Sequence, residues 1–180
     1  MSNVILEANN ISYSYVNKEQ RVDAVTDFSY AFSAAKLYAL IGKSGSGKST
    51  ILSLLGGLTD PSAGEIFYQG ELLRNMDKVK YRREKASFVF QNFNLFPMLN
   101  SLENVAYVLW IQGVDRAEAR ELSANALIAV GLDESYFKRQ PQQLSGGEQQ
   151  RVAIARSLVS GAEIILADEP TGNWMQRTAR

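Results

Sequence analysis

Residues 42–49 read G-K-S-G-S-G-K-S, which satisfies the pattern G-x-x-x-x-G-K-[ST]. These residue types at this spacing suit a polyphosphate. Backbone N–H groups of a tight loop reach phosphate oxygens only where few side chains intervene. Gly42, Gly45 and Gly47 give that clearance, with the small Ser44 and Ser46 between them. A helix beginning behind the loop adds partial positive charge at its N-terminus. Lys48 is spaced to bridge a β- and a γ-phosphate, the Ser49 hydroxyl to ligate Mg²⁺, and Thr50 to reach an α-phosphate. The competing reading is a plain Gly/Ser turn before a helix. The flanks argue against it, because an apolar run precedes the loop and an apolar helical pattern follows it.

Hydrolysis needs more than a cradle. A second strand must present a carboxylate toward the metal. Residues 164–167 (IILA) run directly into Asp168 and Glu169. Ligands of open α/β sheets sit at the carboxyl ends of strands. Asp168 is therefore expected to hold Mg²⁺, directly or through water, and Glu169 to polarise an attacking water as general base, the plainer alternative being an ordinary strand end with two solvated acids. Residues 144–151 read L-S-G-G-E-Q-Q-R. Ser145 and the amides of Gly146 and Gly147 would open a helix whose donors and dipole face outward, a second anion site. Taken alone, this is also an ordinary helix cap.

Composition narrows the chemistry. The chain has 180 residues, 46% hydrophobic and 21% charged, with 19 basic against 19 acidic side chains. That suits a folded domain with a real core and gives no electrostatic argument for nucleic acid. There are no cysteines and no histidines. Disulfide scaffolds, thiol catalysis, Ser-His-Asp hydrolysis and HExxH zinc sites are excluded. Catalysis must use carboxylates, lysines, hydroxyls and amides. The N-terminal residues lack a signal-peptide pattern. The longest apolar run, 105–111, is far short of the roughly 20 residues that span a bilayer.

The elements that must position these groups follow from periodicity. Strands are expected at 4–7, 11–15 and 24–32, broken by Asn9-Asn10 and by a polar stretch at 17–21. The run KLYALI at 36–41 reads as a buried central strand. A helix follows the glycine loop, and further strands are expected at 64–68, 86–91 and 164–167. Helices are expected at 102–112, at 116–130 behind Asp115 with Glu118 at capping-box spacing, and from Ser145 with Glu148 at the same spacing. This order suggests an α/β core with an inserted helical part.

LSGGEQQR, flanked by GKSGSGKST and IILADEP, resembles the signature of ATP-binding-cassette (ABC) ATPases, and the likeness runs along nearly the whole chain. It implies an α/β P-loop NTPase core, with a mixed sheet and N-terminal antiparallel strands, plus an α-helical subdomain. The implied division is a core at 1–91, a helical subdomain at 92–160, a return to the core at 161–173 and an atypical tail at 174–180. The implied ligands are ATP and Mg²⁺. Tyr15 stands where the family stacks an aromatic on adenine, with Tyr13 as competitor and a core-facing aromatic as the plainer alternative. Gln91 stands at the family's Q-loop glutamine, which contacts Mg²⁺ and the γ-phosphate. The resemblance further implies a head-to-tail dimer in which Ser145, Gly146 and Gly147 cover the partner's ATP. It also implies a location on the cytoplasmic, inner face of the plasma membrane, bound to transmembrane permease subunits. Segment 92–104, with Phe93, Leu95, Phe96, Met98 and Leu99 ahead of Asn104, is the expected docking region, although these residues could instead pack the subdomain's own core. FVFQNFNLFP and SLENV resemble most the ATPases of lipoprotein-release, macrolide and antimicrobial-peptide exporters.

The chain also departs from that family. After DEPTGN the family continues Leu-Asp, whereas Trp174 and Met175 stand here, and no residue can fill the family's γ-phosphate histidine. The expectation is a C-terminally truncated cassette lacking its last core strands and helices. The strand at 164–167 should then have an unpaired edge. Low stability and aggregation should follow. Two functions are expected in competition: an ATP-hydrolysing exporter subunit, and a nucleotide-binding fragment with little or no turnover. ABC relatives that act on ribosomes or DNA carry tandem cassettes or coiled-coil insertions, and this chain shows neither.

Overall fold

The computed structural model describes residues 3–16 and 21–170. Trp174, Met175 and the rest of 171–180 lie outside the described residues, as do 17–20. The chain forms two compact units, Met1–Arg82 and Arg83–Arg180.

In the first unit, β1 (Val4–Val16) lies between β2 (Arg21–Ser33) and β3 (Ala63–Tyr68), antiparallel to both, and β4 (Glu71–Leu72) extends the sheet beside β3. Alternation along β1 buries Leu6 and Ala8, and Ile11, Val25, Ile66 and Tyr68 join the same core. Helix α1 (Lys48–Leu55) adds Leu54 and Leu55, each worth about 1.5–3 kcal/mol of burial. The Asn9-Asn10 pair does not end a strand, as the sequence suggested. It makes a bulge within one long strand: the register against β2 shifts between Ala8 and Ile11, and Asn10 takes a φ of 48°. Gly64 faces that bulge, and a Cβ there would lie 2.3 Å from the Asn10 carbonyl oxygen.

The expected central strand at 36–41 is not formed. No strand pairs with it among the described residues, and Leu37 and Ile41 are 99% and 94% exposed. An apolar run becomes a buried strand only when neighbours supply its backbone hydrogen bonds, and none does so here. Tyr38 folds the segment back instead. Its hydroxyl accepts from the Ser33 amide at 2.8 Å, and its ring meets Phe32 and Tyr30 edge-on. The charged segment near 78–85 becomes helix α2 (Lys78–Glu84). It has one apolar anchor, Tyr81, whose hydroxyl donates to Leu55 O at 3.1 Å and whose pKa burial pushes well above the ordinary phenol range.

In the second unit, β5 (Ala86–Val89) and β6 (Ile164–Ala167) form a parallel pair. Helices α3 (Ser101–Ile111), α4 (Arg116–Ala129) and α5 (Gly146–Val159) enclose a core of Leu102, Val105, Leu127, Leu132, Leu144, Val152 and Ala155. Each helix begins on a side-chain cap. Asn100 with Glu103, and Ser145 with Glu148, form reciprocal capping boxes. Asp115 does not complete the box its spacing suggested. Its carboxylate simply accepts from the amides of Ala117 and Glu118. Among the described residues no helix is long and apolar enough to cross a membrane.

Candidate functional site

The phosphate loop belongs to the first unit. Gly45 and Gly47 have φ of 77° and 85°, a region that L side chains rarely adopt. Gly47 is also fixed by space, since a Cβ there would lie 2.1 Å from the Ala24 carbonyl oxygen in β2. At Gly42 a Cβ would meet the Ser46 hydroxyl at 2.7 Å, a side-chain end that can turn away, unlike the backbone oxygen facing Gly47. Gly47 caps α1 with no side chain, and the first turn of α1 carries no acid. The helix therefore opens with amides that no side chain of its own satisfies. Ser44, Ser46 and Ser49 are exposed around the loop. Lys48 Nζ donates to the carbonyls of Gly42 and Lys43, both at 2.9 Å, so its charge rests on the loop's own backbone. Tyr15 is half exposed at the end of β1. Its hydroxyl lies 3.2 Å from Thr50 Oγ1, and Tyr13 meets it edge-on. The ring is thus not core-facing, and it is tied to the helix that carries the loop.

The acidic pair belongs to the second unit. The Asp168 amide donates to Val89 O at 2.9 Å, which continues the β5–β6 ladder and places Asp168 at the carboxyl end of β6. Glu169 follows in a left-handed conformation, φ 46°, that turns it out of the strand direction. Gln91 leaves the end of β5, and its Nε2 donates to Glu169 Oε2 at 2.9 Å. The parallel pairing of β5 with β6 thus brings together two residues 78 positions apart.

Ser145, Gly146 and Gly147 open α5. Ser145 Oγ accepts the Glu148 amide, and its hydroxyl also lies against the Glu148 carboxylate. Space beside Gly147 is open. The Glu148 carboxylate accepts from the Ser145 amide, and that bond holds its pKa below the usual carboxylate range. A charged acid in the first turn offsets part of the helix's positive end, which the sequence reading of this segment left out.

Segment 92–104 divides. Leu95 packs on the helical core, contrary to its exposed-looking setting in the sequence, and Phe93 and Leu99 are half-buried. Phe96 and Met98 face solvent, with Phe96 also lying against Tyr107. The loop is held by Asn104, which is fully buried. Its Oδ1 accepts from the Phe96 amide, and its Nδ2 reaches the carbonyls of Phe96, Leu99 and Asn100. Sequence reasoning missed this role. A polar residue on the apolar face of α3 was the available signal. It also missed Arg156, a cation within the apolar run of α5.

A profile described as "ABC transporter" matches residues 25–172. The lipoprotein-releasing system ATP-binding protein LolD of Idiomarina loihiensis is 42% identical over 176 residues, covering 96% of this chain and 77% of that protein. Two solved structures of the ATP-binding cassette MJ0796 match at 37% identity and a TM-score of 0.88, covering 93% of this chain and 75% of theirs. One is a dimeric post-hydrolysis state bound to ADP and Pi, and the other a dimeric bacterial ABC transporter cassette. These relatives do not favour the reading of nucleotide binding without turnover. Cradle, acidic strand end and signature helix lie in the family's order along a cassette fold, and the chain belongs to the ABC transporter family, as the ATP-binding and ATP-hydrolysing subunit of an exporter.

Proposed function

We propose that the chain powers a membrane exporter of the lipoprotein-releasing kind from the cytoplasmic face of the membrane, working as a head-to-tail dimer of cassettes bound to permease subunits. The observation that carries the catalytic part is the hydrogen bond from Gln91 to Glu169. It holds the Glu169 carboxylate oriented and so supports the reading of Glu169 as the base. The amides of residues 44–48 and of the first turn of α1 receive the phosphates. Lys48 exchanges the carbonyls of Gly42 and Lys43 for the more strongly charged β- and γ-phosphates. Tyr15 offers a ring face to the base. Glu169 accepts a proton from the water that attacks the γ-phosphorus, while the bond to the β-phosphate oxygen breaks and ADP leaves.

The Ser49 hydroxyl and the Asp168 carboxylate, with Gln91 Oε1, are hard oxygen donors of the kind Mg²⁺ takes. When bound, the metal neutralises charge on the β- and γ-phosphate oxygens. Ser145, Gly146 and Gly147 serve the ATP of the partner subunit. Phe96 and Met98, held out by the Asn104 bonds, serve the permease.

The test is Glu169→Gln in the full chain, with Lys48→Ala as the control that cannot hold the phosphates. Glu169→Gln should bind ATP, lose phosphate release and accumulate as a dimer in gel filtration with ATP. Wild-type turnover in Glu169→Gln would remove Glu169 as the base. For docking, Phe96→Asp should lose capture of the permease while ATP binding stays intact, and unchanged capture would move the contact elsewhere.

A further inference from the structure

Gln91 does not hold its own place. The residues behind it, Phe93 and Asn94, have φ of 60° and 45°, two consecutive non-glycine residues in the left-handed region. Such residues are seldom found singly and rarely in succession. The loop's own bonds, Phe93 N to Phe90 O at 2.9 Å and Asn94 N to Asn92 O at 2.6 Å, are joined by a contact from outside it. In an extended segment successive carbonyls point to opposite sides, whereas a helical pair of either hand aims both to one side. Here both carbonyls meet Arg156 from α5. Arg156 Nη2 donates to Phe93 O at 2.7 Å and Nη1 to Asn94 O at 2.8 Å. The planar guanidinium presents its donors as a rigid fork, so it selects the one backbone conformation that places two adjacent carbonyls side by side. The next residue of α5, Ser157, is buried and bonds Ser87 of β5 through its hydroxyl at 2.9 Å. The strand before Gln91 and the turn after it are therefore both fastened to the helix that begins with Ser145.

We propose that Arg156 is a positioning residue for hydrolysis. Its guanidinium holds the 93–94 turn left-handed, and that turn keeps Gln91 at Glu169. The proposal rests on the reading of Glu169 as base and Gln91 as its partner. It adds a connection along α5: Arg156 stands 11 residues, about 16 Å, from Ser145, so a shift of the signature end is carried to the glutamine.

The test uses the full chain. Steady-state ATPase and amide exchange at 92–95 are measured for Arg156→Ala, Arg156→Lys, Gln91→Ala, the Gln91→Ala/Arg156→Ala pair and Arg156→Ala/Asn94→Gly. Arg156→Ala should lower kcat about tenfold with KM within about twofold, and should speed exchange at the Phe93 and Asn94 amides. Arg156→Lys, a point charge without the fork, should not restore kcat. Asn94→Gly should recover part of it, because glycine enters the left-handed region without cost. In the Gln91→Ala background, Arg156→Ala should cost nothing further.

Equal losses with and without Gln91, or faster exchange with unchanged kcat, would overturn the proposal. An inert Gln91→Ala alone would instead overturn the role given to Gln91, while the exchange data still report on the turn. Should Arg156→Ala not fold, Asn94→Pro tests the same point with Arg156 in place. Its fixed φ of about −65° forbids the turn, and kcat should fall equally. Wild-type kcat in Asn94→Pro would refute the proposal.

Discussion

Replacing Asn104 with alanine would remove the clasp of the 93–100 loop while leaving the 42–50 loop untouched. The side chain is fully buried. Its oxygen accepts one bond, from the Phe96 amide. Its nitrogen has two protons for three carbonyls within reach, those of Phe96, Leu99 and Asn100, so it makes two bonds and shares one. Three bonds at about 1 kcal/mol each come to about 3 kcal/mol. In a chain of 180 residues each kcal/mol moves Tm by about 2–4 °C, giving a fall of about 6–12 °C. Circular dichroism at a helix band reads the melt, and limited proteolysis reads the loop. Cleavage between 93 and 100 should appear before the helices are lost. A Tm within about 2 °C of the parent, with the loop still protected, would show that the four contacts contribute nothing and that the loop is held by Leu95 and Phe96 packing alone.

Gly47→Ala should abolish tight nucleotide binding, because its Cβ would lie 2.1 Å from the Ala24 carbonyl oxygen and its φ of 85° is strained for alanine. Titration calorimetry with ADP should show at least about a tenfold weaker Kd, the factor for one strained residue, and an unchanged Kd would mean the loop and β2 can separate freely. Stability should also depend on pH through the caps of α5 and α4. The Ser145 amide lowers the Glu148 pKa, and the Ala117 amide lowers that of Asp115. A carboxylate depressed in the folded state stabilises above its unfolded value, near 4, and that stability is lost as pH falls through the folded value. Urea midpoints measured from about pH 6 to pH 2 should fall less steeply for Glu148→Gln than for the parent, and parallel curves would remove Glu148 from the acid response.

What could be read along the chain was what depends on near neighbours. The glycine loop, the Ser145 box, α3, α4, α5 and β6 all follow from residues within one turn or one strand of each other. The failures share a different cause. Residues 36–41 have the composition of a central strand, but a strand is made by its partners, and none adjoins it among the described residues. The Asn9-Asn10 break became a bulge because β2 and β3 continue the pairing on both sides of it. Arg156 and Asn104 stand out as polar residues among apolar ones, but what they anchor could not be read, because their partners are mostly backbone carbonyls. Every residue has one, so no residue type at 93, 94 or 96 announces the contact. The Gln91–Glu169 bond lies between these cases, since each residue stood out locally while their meeting required β5 to pair with β6.

The open run at 36–41 has a consequence in the test tube rather than in the site. Its backbone N–H and C=O groups and the bare side chains of Leu37 and Ile41 form a short β-prone window that any other extended chain can complete, including the same window on a second molecule. A formal net charge of zero supplies no long-range repulsion to keep molecules apart. Self-association is therefore governed by concentration and by distance from the isoelectric point. The chain should be least soluble near pH 6.3 and should keep best when dilute and buffered well to the alkaline side of it.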